Sequence, residues 1–74
     1  MREKLIEYRG KRSQREMAQI YNVSQQAWSQ WEIGIKKPNV VIMKQIEKDS
    51  GTPMETIFFD VFNNKKLLKD EKSA

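Results

Sequence analysis

The stretch SQREMAQIYNVSQQAWSQWEI, residues 13–33, predicts two short helices joined by a tight turn. Ser13 and Glu16 have the spacing of a capping box, in which each side chain accepts a hydrogen bond from the other residue's backbone N–H. Asn22 suits a backbone turn of positive φ, and Ser24 then stands where the next helix needs a cap. We therefore predict one helix over 13–21 and another over 25–33, and the few residues between them force a steep crossing.

Apolar residues at helical spacing predict the buried face of this pair of helices. In the order of the chain they are Met17, Ala18, Ile20, Tyr21, Ala27, Trp28 and Trp31. This spacing assigns both tryptophans to the core and leaves the opposite, polar face of the second helix for solvent or a partner. The alternative, that the tryptophans stack on the bases of single-stranded nucleic acid, is the weaker reading.

The flanking sequence predicts three further short helices. A helix over 3–9 ends at Gly10 and buries Leu5 and Tyr8. A basic loop at 34–39 precedes a fourth helix, which ends at Gly51 and is expected to bury Val40, Met43 and Ile46. A fifth helix follows, for which we expect Thr52 as N-cap, Pro53 at the first helical position and Glu55 to complete a second capping box.

The expected fold is therefore all-α, a compact bundle of about five short helices. We place the helix-turn-helix at 13–33 within one domain over 1–60, followed by a charged C-terminal tail over 61–74.

Composition excludes several classes of function. The chain has no cysteine and no histidine, so disulfides, thiol chemistry and histidine-based catalysis are excluded. We expect no enzymatic activity, no cofactor, no metal and no small-molecule substrate. No apolar run approaches the roughly 20 residues of a membrane span, and Met1 leads into charged residues rather than a signal peptide. We expect a cytoplasmic protein with no membrane partner.

The positive charge is confined to one half of the chain. Residues 1–37 hold eight Lys or Arg against four acids, and residues 38–74 hold six against six, so the net charge of +4 lies entirely in the first half. An uneven basic excess of this kind is typical of proteins that bind a polyanion such as nucleic acid.

Four fragments of the sequence resemble the phage-repressor and Cro-like (Xre-like) helix-turn-helix family over about residues 5–59. They are SQREMA at 13–18, VSQQ at 23–26, WEIG at 31–34 and KPN at 37–39. The resemblance implies a lambda-repressor-like DNA-binding fold and a transcriptional regulator, in the simplest case a repressor, that binds specific sequences of double-stranded DNA. It also implies that Arg9 and Glu32 pair and hold the first helix to the end of the third.

The resemblance assigns DNA contacts residue by residue. It implies base contacts from Gln25, Gln26, Ser29 and Gln30, with helix 24–33 in the major groove. It implies contacts to the phosphates from Gln14, Arg15, Ser24, Lys36, Lys37 and Asn39. Glutamine suits base recognition because its amide both donates and accepts, and so can pair with the N6 and N7 edge of adenine.

The apolar cluster at 57–62 predicts a partner surface. One short helix cannot bury five large apolar residues at once, so we expect a homodimer held largely by residues 54–62, with Phe58, Phe59 and Phe62 at the interface. The same cluster supports an alternative function, a protein-interaction module such as an antitoxin or antirepressor built on this fold.

Overall fold

A computed structural model describes residues 1–62 of the chain as an all-α fold. Its helices are α1 (Glu3–Arg9), α2 (Gln14–Ile20), α3 (Gln25–Ile33), α4 (Val40–Ser50) and α5 (Met54–Ile57). Residues 59–62 are helical again after a turn at Phe58. Most of the predicted tail, residues 63–74, lies outside the described residues. None of the described helices is long and apolar enough to cross a membrane.

The predicted ends of the first three helices are confirmed. Ser13 and Glu16 form the complete capping box at the start of α2, and the Ser24 hydroxyl accepts a hydrogen bond from the backbone N–H of Ala27 at the start of α3. Asn22 has a φ of 56° in the turn between them. Gly34 ends α3 in the left-handed conformation, which a residue without Cβ adopts at little cost.

The predicted second capping box, of Thr52 and Glu55, is wrong. Pro53 is the N-cap of α5, has an extended ψ of 140° and lies outside the helix. The side chain of Glu47, in the last turns of α4, accepts the N–H of Met54 instead, at 3.3 Å. The N–H of Thr52, which Glu55 would have bound in the predicted box, donates to the Ser50 hydroxyl, so residues of α4 satisfy two donors at the start of α5.

The core lies where the five helices meet, and each of them contributes at least one buried residue. Its buried apolar residues are Leu5, Met17, Ala18, Trp28, Trp31, Met43, Ile46, Ile57 and Phe58. Trp28 stacks on Tyr21 with ring centroids 5.7 Å apart and meets Trp31 at a tilt, so the aromatic rings tie α2 to α3. The core assignment of both tryptophans is confirmed.

Two residues assigned to the core are exposed. At roughly 100° per residue, Ile20 lies about 60° from Met17 on the side away from Ala18, so it stands at the edge of the buried face and is exposed. Val40 is the first residue of α4 and projects past the edge of the core that Met43 and Ile46 reach.

Candidate nucleic-acid interface

The outward face of α3 is polar along its first two turns. Gln25 and Gln26 are exposed, Ser29 and Gln30 are half-buried, and Trp28 and Trp31 fill the opposite face. Because residues four apart lie one above the other on a helix, the four polar side chains form one continuous surface. The structure therefore brings the predicted base-contacting residues together.

Glu32 is the centre of a buried hydrogen-bond network that joins three helices. Its carboxylate accepts hydrogen bonds from Arg9 Nε at 2.7 Å, from Gln14 Nε2 at 2.9 Å and from Trp28 Nε1 at 2.6 Å. Burial by itself raises the pKa of Glu32, but the bonds from Arg9, Gln14 and Trp28 outweigh it and leave that pKa below its ordinary value. The expected Arg9–Glu32 pair is thus present, within a larger network.

This network sets the start of α2 against α3. Gln14 is the first residue of α2, and its side-chain amide is held by Glu32 rather than left free. Arg15, the next residue, is exposed. The N-terminal backbone of α2 therefore has a fixed position beside the polar face of α3.

Ser24 and Asn39 cap helices, a role that the family resemblance did not assign to them. The Ser24 hydroxyl accepts the N–H of Ala27, and Asn39 Oδ1 accepts the N–H of Ile42 at 2.9 Å, so both residues are N-caps. Capping occupies one acceptor of each side chain. The Ser24 hydroxyl hydrogen and the Asn39 amide nitrogen are the groups that remain for a ligand.

The basic loop, residues 34–39, folds back on the end of α3. The carbonyl oxygen of Gln30 accepts hydrogen bonds from the backbone N–H groups of Gly34, Ile35 and Lys36, at 3.0, 3.1 and 3.3 Å. The side chains of Lys36 and Lys37 are exposed, and no carboxylate of residues 1–62 pairs with either. Two positive charges therefore stand immediately beyond the polar face of α3.

Arg2 also shapes this loop, and no local pattern in the sequence predicts that role. Although it is the second residue of the chain, its side chain is buried, and its guanidinium donates to the carbonyl oxygens of Trp31 and Lys36, each at 2.7 Å. The same group binds both carboxylate oxygens of Asp60 at 2.9 Å and lies over the ring of Phe58.

Three of the arginines are consequently used inside the fold. Arg2 neutralises Asp60, Arg9 neutralises Glu32, and Arg12 donates to the carbonyl oxygens of Tyr8 and Arg9 at the end of α1. Arg12 had a readable signal, because basic residues commonly bind the free carbonyls at a helix C-terminus. Arg2 had none, because its partners lie 29 to 58 positions away in the chain.

Phe58 is a correction to the predicted dimer interface. Its side chain is fully buried, whereas Phe59 is 60% exposed and Phe62 is half-buried against the core. The break after α5 is the physical reason, since Phe58 adopts φ −108° and ψ 43° and turns its ring inward. Phe59, Met1 and Ile33 line a groove of about 380 Å³.

The burial of Trp28 and Trp31 removes the alternative of stacking on single-stranded nucleic acid, because neither ring offers a free face. Within residues 1–62, no group of three or more Asp or Glu side chains is placed to hold a metal ion. Comparison of the chain with known protein families, with curated proteins and with solved structures finds no match. The resemblance to the phage-repressor family therefore stays a prediction.

Proposed function

We propose that this chain binds specific sequences of duplex DNA and acts in the cytoplasm as a transcriptional regulator, in the simplest case a repressor that blocks polymerase. One observation carries the proposal. The exposed polar face of α3 is accompanied by the start of α2, which Gln14 holds to Glu32, and by the exposed lysines of the loop that follows α3. A helix that reads base edges in a major groove needs groups of this kind nearby to bind the phosphates.

Recognition of bases falls to the polar face of α3. Gln25 and Gln26 are the most exposed of its residues, stand at the start of the helix and would reach deepest into the groove. Ser29 and Gln30, half-buried one turn later, would contact bases or phosphates nearer the groove edge. An amide paired with the N6 and N7 of adenine distinguishes that base from the other three.

Contacts to phosphates fall to the groups around this face. The free N–H groups at the start of α2 favour an anion, and Gln14 and Arg15 stand there. Lys36 and Lys37 supply attraction that is independent of sequence, while the remaining donors of Ser24 and Asn39 add contacts of fixed direction.

Two copies are needed for a useful degree of specificity. One recognition helix reads only a few base pairs, so proteins of this kind read two half-sites about 34 Å apart. Phe59 is the exposed aromatic residue of the C-terminal segment and, with Ile33 and Met1, gives an apolar surface for the second copy. Phe62 contributes with its exposed part.

The same apolar residues favour a second candidate function, the protein-interaction module. Met1, Ile33 and Phe59 are all about half exposed or more and line one groove, and a contiguous apolar surface is typical of a site that binds another protein. The two functions differ in salt dependence, because binding to DNA weakens steeply as salt rises and binding through an apolar surface does not.

Selection of bound duplexes from a random pool at physiological salt tests the proposal. We expect a conserved and symmetric site with two half-sites one helical turn apart. A pool that stays random after repeated rounds would contradict sequence-specific binding, and an asymmetric site would contradict the paired arrangement.

The variants Gln25→Ala and Gln26→Ala test which residues read the bases. Each should relax base preference at its own position by about 1–3 kcal/mol, because each removes a candidate bidentate pair. Gln19→Ala, which removes an exposed glutamine from α2, is the matched control and should leave the preference unchanged. Competition binding against single-base variants of the selected site measures the effect. Identical preferences in all three variants would contradict the assignment.

A further inference from the structure

Arg2 joins three parts of the chain that meet at the basic loop. Its Nη1 donates to the last turn of α3 through the Trp31 carbonyl and to the loop through the Lys36 carbonyl. Its Nε and Nη2 bind the Asp60 carboxylate in the two-point manner that a guanidinium favours. The backbone N–H of Arg2 also donates to the carbonyl oxygen of Glu32 at 2.8 Å.

The geometry of this contact restricts the position of Lys36. A guanidinium is planar and its donors have fixed directions, so one group that holds two carbonyls also fixes the distance between them. The first carbonyl is that of Trp31 in α3, and the second is that of Lys36, the first exposed lysine of the loop. The Gln30 carbonyl thus binds the N–H groups of Gly34, Ile35 and Lys36, and Arg2 binds the Lys36 carbonyl.

Asp60 holds the guanidinium in that orientation. The Arg2 side chain is 5% exposed, so its charge needs a nearby partner, and Asp60 supplies one from the far end of the described chain. The Phe58 ring, with its centroid 5.2 Å from the Arg2 guanidinium carbon, closes the remaining side.

We propose that Arg2 is a positioning residue for DNA binding, which places Lys36 and Lys37 against the phosphates by fixing the backbone of the basic loop, with Asp60 holding Arg2 in place. This inference rests on the proposed function. It adds that the phosphate contact depends on two residues that touch no DNA. The Arg2–Asp60 contact also connects the loop to the segment that includes Phe59, since Asp60 directly follows Phe59 in the chain.

A double-mutant cycle tests the inference with a duplex of random sequence as the probe. The double change Lys36→Ala with Lys37→Ala is made in the natural chain and in Arg2→Lys. Lysine keeps the charge of Arg2, so the net charge is equal in the two backgrounds. Its single ammonium group cannot span two carbonyls and a carboxylate, so the loop contact is lost. Arg12→Lys is the matched control, because Arg12 also binds two carbonyls and lies over a tyrosine ring.

In the natural chain and in Arg12→Lys, removal of the two lysines should weaken binding about tenfold and make the slope of log affinity against log salt shallower by about 1–2. In Arg2→Lys, where the Lys36 carbonyl loses its bond to the guanidinium, the same removal should have less than half of that effect on both quantities. Far-ultraviolet circular dichroism confirms that each variant is folded at the temperature of measurement. If Arg2→Lys does not fold, Asp60→Asn takes its place and is compared with Glu55→Gln, which changes the net charge equally.

An undiminished effect of lysine removal in the Arg2→Lys background would overturn the inference and leave the proposed function standing. If removal of the two lysines changed neither the affinity nor the salt slope in the natural chain, the phosphate contact itself would be overturned, and the inference with it. A residue that only stabilised the fold would leave the lysine effect unchanged, so non-additivity separates positioning from stability.

Discussion

At the scale of single residues, the arrangement of α1, α2 and α3 depends on one buried carboxylate. Glu32 is 2% exposed and has three side-chain partners, each from a different part of the chain. A buried charge is tolerated only while its partners remain, so loss of Arg9 would leave an uncompensated carboxylate and cost about 3–5 kcal/mol. That is comparable with the roughly 4–11 kcal/mol of total stability expected for a chain of this length.

Glu32 should make the stability of the protein depend on pH in the acid range. Its pKa is lower in the folded than in the unfolded chain, so its contribution is complete above the unfolded value and is lost as pH falls through the folded value. Asp60 acts in the same direction, chiefly because Arg2 lowers its pKa through hydrogen bonds. We expect the free energy of unfolding to decline below about pH 4.3, the ordinary value for a glutamate.

The variant Glu32→Gln should be less stable at neutral pH and should show a smaller decline in acid, because one of the two groups no longer titrates. Glu55→Gln, an exposed position on α5, is the control and should change stability by less than about 0.5 kcal/mol. Urea denaturation between pH 2.5 and 7 measures both effects. An acid decline as steep in Glu32→Gln as in the natural chain would assign the linkage to other carboxylates.

At the scale of helices, the short length of α5 decides which aromatic residue faces outward. Only Met54–Ile57 form the helix, and Phe58 follows as a turn before residues 59–62 resume helical structure. A continuous helix would have placed Phe58 and Phe59 about 100° apart on one side. The break instead directs Phe58 into the core and leaves Phe59 at the surface.

Phe58→Ala and Phe59→Ala should therefore affect different properties, the first stability and the second assembly. Phe58→Ala should cost about 3–5 kcal/mol of stability, since it empties a fully buried site. Phe59→Ala should leave a folded chain and shift the equilibrium from dimer to monomer. Thermal unfolding and analytical ultracentrifugation, free and on the selected duplex, separate the two. A natural chain that is monomeric in both conditions, or a Phe59→Ala variant that still dimerises, would contradict this surface.

At the scale of the whole molecule, the exposed basic side chains are spread over several helices, and three of them lie on α2 and the basic loop. Arg2 and Arg9 are paired inside the fold, while Arg15, Lys36 and Lys37 are exposed around α2 and the loop. The number of charges available to a polyanion beside α3 is therefore smaller than the count of basic residues suggests.

The salt dependence of binding should report how many of these charges act. If Arg15, Lys36 and Lys37 each contact one phosphate, the slope of log affinity against log salt should be about −2.7 for one copy on a half-site and about −5.4 for two on a full site. Titrations of both duplexes at salt concentrations from about 50 to about 300 mM, a range that includes physiological ionic strength, measure the ratio of the two slopes. Equal slopes on the two duplexes would contradict binding of a pair.

The sequence by itself determined the features that depend on neighbours in the chain. The capping box of Ser13 and Glu16, the turn at Asn22, the Ser24 cap and the end of α3 at Gly34 were all predicted and confirmed. Each is a hydrogen bond or backbone conformation that spans four residues or fewer, so the residue types and their spacing contain the information. The polar face of α3 follows from the same helical period.

The tertiary structure alone decided the contacts between distant segments. The bonds from Arg2 to Trp31, Lys36 and Asp60, the cap that Glu47 gives to α5 and the inward turn of Phe58 have no local signature. The start of α5 illustrates the limit, because its local sequence favoured a capping box, whereas Ser50 and Glu47 of α4 accept the N–H groups of Thr52 and Met54. Which donor meets which acceptor across the fold depends on how the helices pack, because packing brings together groups that chain spacing leaves undetermined.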